Sequence, residues 1–264
     1  MLRPTRWPQV HASRAIGSAA LARAGDVLQG GGRALGCIAA GMLTASELRA
    51  AIAERWQDFG ATEAYVRSGL WHWEMQFYSR FLHRDDDILL VGAGSGRDLL
   101  ALREQGYRAD GLELAERASA RARALVTPLG GAVVTGSIEV APLAPRDAFI
   151  FSWLCYSYIP GRGSRVAVLR RVHDALRPEG RILLTYARAD GTRRGIARRL
   201  ATVGAWLARV DWRPEPGDVI ERTAHSVHYE HEFTREDIEA EARAAGLAVA
   251  CHEHGEEGRL VLTA

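Results

Sequence analysis

Three stretches of this chain hold residues whose types and spacing suit chemistry. The first is Asp87 to Glu113, D-I-L-L-V-G-A-G-S-G-R-D-L-L-A-L-R-E-Q-G-Y-R-A-D-G-L-E. Gly92, Gly94 and Gly96 alternate behind the apolar run Ile88 to Val91, and Glu113 closes a second short apolar run. Glycines let the backbone turn sharply and let a ligand approach without a Cβ in the way. A helix opening just after them points free N–H groups at the same spot. An acid about 20 residues past the first glycine is placed to take the ribose hydroxyls of an adenosine cofactor. The dinucleotide fingerprint G-x-G-x-x-G would want its last glycine where Arg97 stands, so the spacing departs from it.

The second stretch is Ser152 to Pro160, S-W-L-C-Y-S-Y-I-P, which follows the apolar run D-A-F-I-F. At the carboxyl end of a strand, such aromatics and hydroxyls lie where open α/β sheets bind ligands. A packed aromatic loop is the competing use. The third stretch is Trp71-His72-Trp73-Glu74. Its tryptophans can anchor a core or close over a bound molecule. Five histidines, His225, His228, His231, His252 and His254, fall near the carboxyl end. Their spacing matches no zinc signature, and no cysteine pair adjoins them, so no metal is expected. A neutral imidazole there is a candidate general base.

The elements that must position these groups follow from pattern. Ile88 to Val91 is apolar on both faces, as a helix-covered parallel strand requires. Tyr107–Leu114, Ala132–Gly136, Asp147–Ser152, Arg181–Ala187, Leu247–Cys251 and Arg259–Thr263 read as further strands. Helices are expected between them, over Ala115–Val126, Arg162–Arg177 and Ile238–Ala245. Upstream, Thr44 with Glu47 forms a capping-box pattern before the helical row Leu48, Ile52, Trp56 and Phe59. A second, well-buried helix is expected over Tyr65–Leu82. Residues 1–43 read as an appendage, with a helix over Ser13–Leu28 and a hinge at Gly30–Gly32. Residues 44–86 read as a helical cap, and 87–264 as the main domain with an insertion at 188–218. Within that insertion Ile196, Leu200, Val203, Leu207 and Val210 mark the inner face of an amphipathic helix. Val219 to Phe233 reads as extended.

Composition bounds the function classes. The chain has 264 residues, 47% hydrophobic and 25% charged, with a net charge of +2. This is a globular balance that does not call for nucleic acid. All basic residues are arginine, which excludes lysine Schiff-base and lysine-nucleophile chemistry. Cys37, Cys155 and Cys251 form no disulfide or C-x-x-C pattern, and a reducing, cytoplasmic setting is expected.

The G-x-G-x-G spacing ending the first strand resembles motif I of the class I S-adenosylmethionine (SAM) methyltransferases. The turn L-R-P-E-G-R-I-L-L, Leu176 to Leu184, resembles the entry to the fifth strand in small-molecule members of that family. The resemblance covers roughly Asp87 to Ala264. It implies an α/β, Rossmann-like seven-stranded, mostly parallel sheet with an antiparallel last strand, here joined by N-terminal helices and a helical insertion. It implies SAM as cofactor, held by Gly92, Gly94, Gly96 and Glu113, with Ser137 and Ile138 by the adenine and Ser152 at the fourth strand's end. Glu139 is a later match for the adenine acid. The implied reaction is methyl transfer to an O or N atom of a small molecule. Tyr156, Tyr158 and His72 are then the candidate catalytic groups, and Trp71, Trp153, Tyr156 and His228 the candidate substrate contacts. A monomer or homodimer is expected, without peripheral membrane contact; for the insertion helix the competing uses are a substrate lid, a solvated or oligomer surface, and a contact for anionic lipid or nucleic acid. The alternatives are a NAD-dependent oxidoreductase and an inactive scaffold of the same fold.

Overall fold

Residues Ile88 to Val91 are buried on both faces, and the strand they form, β1 (Asp87–Val91), lies at the middle of the main sheet in this computed structural model. The structure describes residues 30–189, 194–223 and 226–264. β2 (Arg108–Glu113) and β4 (Arg146–Phe151) flank β1 in parallel. β3 (Val133–Thr135) lies outside β2, and β5 (Leu176–Tyr186) outside β4. β9 (Gly258–Thr263) then runs antiparallel between β5 and β8 (Ala248–His254), giving seven strands in the order β3-β2-β1-β4-β5-β9-β8. A short hairpin joins β8 to β9, so β9 must run against its neighbours. The expected Rossmann-like sheet is therefore present.

Helices α5 (Arg97–Glu104), α6 (Glu116–Val126), α7 (Arg162–Asp174) and α9 (Arg235–Ala244) cover the two faces. Alternate residues of each strand go to alternate sides. Ile88, Leu90 and Ile150 pack with Leu99, Leu102 and Val126 on one side. Leu89, Phe149 and Phe151 pack with Leu169, Val172 and Ile238 on the other.

The chain before β1 differs from expectation in two places. Residues 30–32 are not a hinge but helical, part of α1, which is described over residues 30–41. Its later residues Cys37 and Ala40 are buried, and this packing outweighs the poor helix propensity of glycine. The helix expected over Ser13–Leu28 lies outside the described residues. The helix expected over Tyr65–Leu82 is two, α3 (Glu63–Val66) and α4 (His72–Phe81). Gly69 sits between them at φ 76°, a left-handed conformation that glycine adopts without strain. Phe77, Tyr78 and Leu82 join the sheet core with Val66, whereas Trp71 and Met75 stay exposed.

A smaller core forms beside the sheet. α2 (Ala45–Trp56), with the expected Thr44–Glu47 capping box, packs with α1, α8 (Arg194–Ala208) and the hairpin of β6 (Asp218–Arg222) and β7 (Val227–His231). Its buried residues are Ala40, Leu48, Ile52, Ala201, Ile220, Val227 and Tyr229. Segments far apart in sequence thus share one core. α8 also turns the opposite way from expectation. Ala201, Gly204 and Ala205 face inward, while Ile196, Val203 and Leu207 face out. The reason is close approach: a Cβ on Gly204 would strike the Ile38 carbonyl, and one on Gly41 would strike the Ala201 carbonyl. Only small residues let the two backbones meet.

Candidate functional site

The glycine turn after β1 borders a cavity at the carboxyl edge of the sheet, lined also by Glu113, Ser137, Ile138 and Ser152. Each glycine serves differently. A Cβ at Gly92 would lie 2.8 Å from Cys155 Cβ, and one at Gly96 would lie 2.9 Å from Ala122 Cα. Those two are packing positions. A Cβ at Gly94 would meet nothing within 4 Å, although its φ of 54° is left-handed. The open space is the cavity. Glu113, at the end of β2, accepts the Gly94 N–H at 2.7 Å and the Ala115 N–H at 2.7 Å. Burial raises its pKa, and the surrounding backbone N–H groups oppose that shift. The acid therefore holds the turn in shape while facing the cavity.

A buried charge cluster lies behind the turn. Arg97, the first residue of α5, pairs through Nη2 with Glu74 and through Nε with Asp98 at 2.6 Å. The Ser152 hydroxyl donates to Asp98 Oδ2 at 2.7 Å. Glu74 also accepts the Trp71 N–H at 2.7 Å, which caps α4 and ties it to the glycine turn. Burial, then the charge of Asp98, pushes the Glu74 carboxyl up to about 7. Burial works against the charge on Arg97, but Asp98 and Glu74 outweigh it and raise its pKa. Trp71 covers the guanidinium at 4.2 Å, a cation–π contact. Arg97 Nη1 remains buried with no partner.

α2 roofs the cavity and is fixed at both ends. Arg49 makes a bidentate pair with Glu139, at 2.9 Å for both closest contacts. At the other end the Ser95 hydroxyl donates to the Phe59 carbonyl at 2.8 Å, and the Arg117 N–H donates to Gln57 Oε1 at 2.8 Å. This fastening sets Trp56 and Phe59 over the cavity. They meet Trp153 and Tyr158 from the end of β4: Phe59 stacks on Trp153 at 5.3 Å, and Trp56 lies 4.9 Å from Tyr158. Trp153 and Leu154 have positive φ, 26° and 63°, which costs energy for residues with a Cβ. The Leu154 N–H donates to Thr185 Oγ1 at 2.9 Å and holds the kink that presents Trp153. The same four rings line a second, open cavity, whose far side carries Glu54, Arg55 and Arg222.

Of the residues singled out in the sequence, Gly92, Gly94, Glu113, Ser137, Ile138, Ser152, Trp153 and Tyr158 line the first cavity, and Gly96 closes its turn from behind. Ser137 Oγ accepts the Glu139 N–H at 3.2 Å. Tyr158 lines both cavities, and burial pushes its hydroxyl pKa above the usual range, which keeps it protonated.

Tyr156 is elsewhere. It is fully buried, stacks on Phe233, and donates to Glu241 Oε2 at 2.8 Å. Glu241 in turn pairs with Arg165 at 2.8 Å. Two residues further along a tight 3-10 turn, the chain points the other way, and this separates Tyr156 from Tyr158. Tyr156, expected as a catalytic group and a substrate contact, therefore lines neither cavity. His72 is exposed at the start of α4, and His228 lies on β7; neither lines either cavity. Trp71 supports Arg97 and touches Trp153 edge-on at 5.8 Å rather than lining the cavity itself. His225 lies outside the described residues. His252 and His254 both bond the Tyr186 hydroxyl, at 2.6 and 2.9 Å, away from the cavity.

Sequence reading missed Arg97, Asp98, Glu74 and Arg49. The signal for the first two was the polar pair directly after the third glycine, where a helix facing a sheet should be apolar. Among the described residues, Glu215, Asp218 and His231 bring ligand-type atoms within 4.8 Å of one another. Arg165 Nη2 lies 3.2 Å from Glu215 and 3.3 Å from His231 Nε2. Its guanidinium already supplies the positive charge those acids need.

A family model described as a methyltransferase domain matches residues 65–252. No curated protein matches the chain in sequence. Solved structures match in fold. A SAM-dependent methyltransferase from Methanosarcina mazei superposes with a TM-score of 0.59 at 16% identity, over 74% of this chain and 97% of that one. The methyltransferase CcbJ from Streptomyces caelestis gives 0.55 at 14% identity, over 72% and 88%. SAM-bound CalS10 from Micromonospora echinaspora, an amino pentose methyltransferase, gives 0.55 at 21% identity, over 75% and 93%.

Proposed function

The chain belongs to the class I SAM-dependent methyltransferases, and we propose that it transfers a methyl group from SAM to an oxygen or nitrogen of a small-molecule acceptor. The observation that carries this reading is a pair of cavities sharing one aromatic wall. The first has the glycine turn and Glu113; the second, across Trp56, Phe59, Trp153 and Tyr158, has the mixed charges of Glu54, Arg55 and Arg222.

The residues fit the donor part by part. Glu113 would take the ribose hydroxyls, Ser137 and Ile138 would flank the adenine, and the turn at Gly94 leaves room for close approach. The orphaned Nη1 of Arg97 would take the amino-acid carboxylate, and Asp98 its ammonium group. A buried donor without a partner is costly, so a carboxylate arriving there is favoured. Bound SAM supplies an electrophilic methyl group on a positively charged sulfonium.

The rest is the work of the chain. The aromatic wall excludes water and favours a positive centre nearby. Tyr158 positions the acceptor by hydrogen bonding. Holding the acceptor atom in line with the methyl group accounts for most of the acceleration such a site can give. In this reading residues 87–264 bind SAM and residues 44–86 roof the site.

Calorimetry on Glu113→Ala tests the donor assignment. Loss of its charged bonds should weaken SAM binding by roughly tenfold or more. Unchanged affinity would remove Glu113 from the site. A SAM-dependent screen against metabolite extracts, read by mass spectrometry for products heavier by one methylene unit, identifies the acceptor. If SAM binds and no product forms with any extract, the scaffold reading replaces the enzyme.

A further inference from the structure

The open cavity beyond the aromatic wall carries a charge pattern of its own. Arg55, in the last turn of α2, and Arg222, the last residue of β6, both line it. Neither lines the cavity of the glycine turn, so the shared rings stand between the arginines and the donor. Elements remote in sequence bring the two together. Arg222 pairs across the hairpin with Val227, which is buried in the small core and lines the same cavity. Arg55 follows Ala51, which packs on that core, by one helical turn. Both arginines are exposed, and among the described residues neither makes an ion pair.

The acids nearby are engaged elsewhere. Glu54, also in the lining, pairs with Arg117 at 3.4 Å. On α2, Glu47 is held below the usual carboxyl range by its hydrogen bonds with Thr44 and, to a smaller degree, by Arg222. Glu221 stands opposite His228 on the other face of the hairpin, and Glu230 lies 3.7 Å from His228. The positive field reaches inward. Burial and then Arg55 push His228 below the usual imidazole value. Arg55 also opposes, in part, the rise that burial and Glu230 impose on the Tyr158 hydroxyl.

An occupant of this cavity meets ring faces, two unpaired guanidiniums and, across the rings, the positive centre of the donor. A planar body covers the rings best. A cation is opposed by all three charges, and one acid already paired does not offset them. An anion is drawn by all three, and a guanidinium fork matches a carboxylate or phosphate.

We propose that the acceptor is a planar aromatic molecule bearing an anionic group, carboxylate or phosphate, which Arg55 and Arg222 hold at the end away from the methyl donor. This rests on the methyltransferase reading and adds regiochemistry to it. The new O–C or N–C bond forms at an atom apart from the acid as the C–S bond breaks; sulfur keeps that electron pair and the acceptor's proton passes to solvent. The product therefore keeps its anionic group.

The probe is a metabolite extract split on an anion exchanger at pH 8 into retained and unretained pools. Each is incubated with the full chain and SAM and read by mass spectrometry and ultraviolet absorbance. The methylated, ultraviolet-absorbing product is expected from the retained pool and should itself be retained. Loss of that product after phosphatase treatment of the pool assigns the anion as phosphate, and its survival as carboxylate. With the purified acceptor, Arg55→Gln and Arg222→Gln should each raise KM about two- to fivefold, and together roughly tenfold, as exposed ion pairs do. Added salt should narrow the difference. The loss should fall on KM rather than kcat, with SAM affinity by calorimetry unmoved. An acceptor in the unretained pool, an ester product, or an unchanged KM in the double variant overturns the proposal and leaves the methyltransferase reading standing. SAM bound with no product from either pool removes that reading, and the proposal with it.

Discussion

Removing the carboxylate from the donor should cost this enzyme more than removing any neutral hydrogen-bonding group of similar size. Arg97 is buried, its Nε and Nη2 are taken by Asp98 and Glu74, and Nη1 has no partner. The perturbation is best made in the ligand. Substituting Arg97 would leave two carboxylates facing each other in a buried site, which itself destabilises the fold. Decarboxylated SAM keeps the adenosine, the sulfonium and the amine. A hydrogen bond to a charged group contributes roughly 1.5–3 kcal/mol, so its loss corresponds to about a 10- to 150-fold rise in Kd. The upper end applies if the orphan donor is left buried and unsatisfied. Isothermal titration of the wild-type enzyme with both ligands measures the ratio directly. Equal affinities would refute the assignment of Arg97 as the carboxylate site. A ratio that is present at low salt but vanishes at high salt would point to a long-range field instead of a direct bond.

Other outcomes follow from the same geometry. Gly94→Ala places a Cβ in the open cavity, so SAM affinity should collapse, while the left-handed φ costs only about 1–2 kcal/mol of stability. Gly96→Ala meets the backbone of Ala122 and should lower the thermal midpoint more than Gly94→Ala does; calorimetry and thermal melts separate the two effects. Tyr156→Phe removes a bond to the Glu241 carboxylate, so stability should fall by about 1.5–3 kcal/mol with kcat retained; a lost kcat and an unchanged melt would restore Tyr156 to the chemistry. Glu74 is held at a raised pKa, so the folded chain keeps its proton where the unfolded chain has lost it. Its contribution to stability is then fully present below the ordinary carboxyl value of 4.5 and is lost as pH rises through about 7. Wild type should therefore lose stability relative to Glu74→Gln between those limits, and parallel melting curves across the range would contradict the shift.

Much of the nucleotide half of the site was legible because it is local. Gly92, Gly94 and Gly96 must follow a buried strand, and Glu113 must end the next one, so spacing along the chain fixes spacing in space. The parallel sheet was readable for the same reason: Ile88–Val91 and Ala148–Phe151 are apolar on both faces. The capping box at Thr44 placed α2 within a residue or two, although nothing local said that α2 would roof the cavity.

What the tertiary structure alone decided concerns residues whose meaning depends on distant partners. Tyr156 and Tyr158 are two residues apart and look alike in sequence. One faces Glu241 under the sheet and the other faces Trp56 across the cavity, because a 3-10 turn rotates side chains by about a third of a turn per residue. The sequence marked Arg97 only as the residue standing where a dinucleotide fingerprint wants glycine; Glu74, on a helix before β1, supplies its partner. On α8, periodicity named the apolar row correctly but assigned it to the wrong side. Hydrophobicity tells that a row will avoid water; it does not tell that Gly41 and Gly204 will bring two backbones so close that only the small row fits between them. The sequence determined the sheet, the turn and the acid at its edge; the packing of remote helices determined what surrounds them.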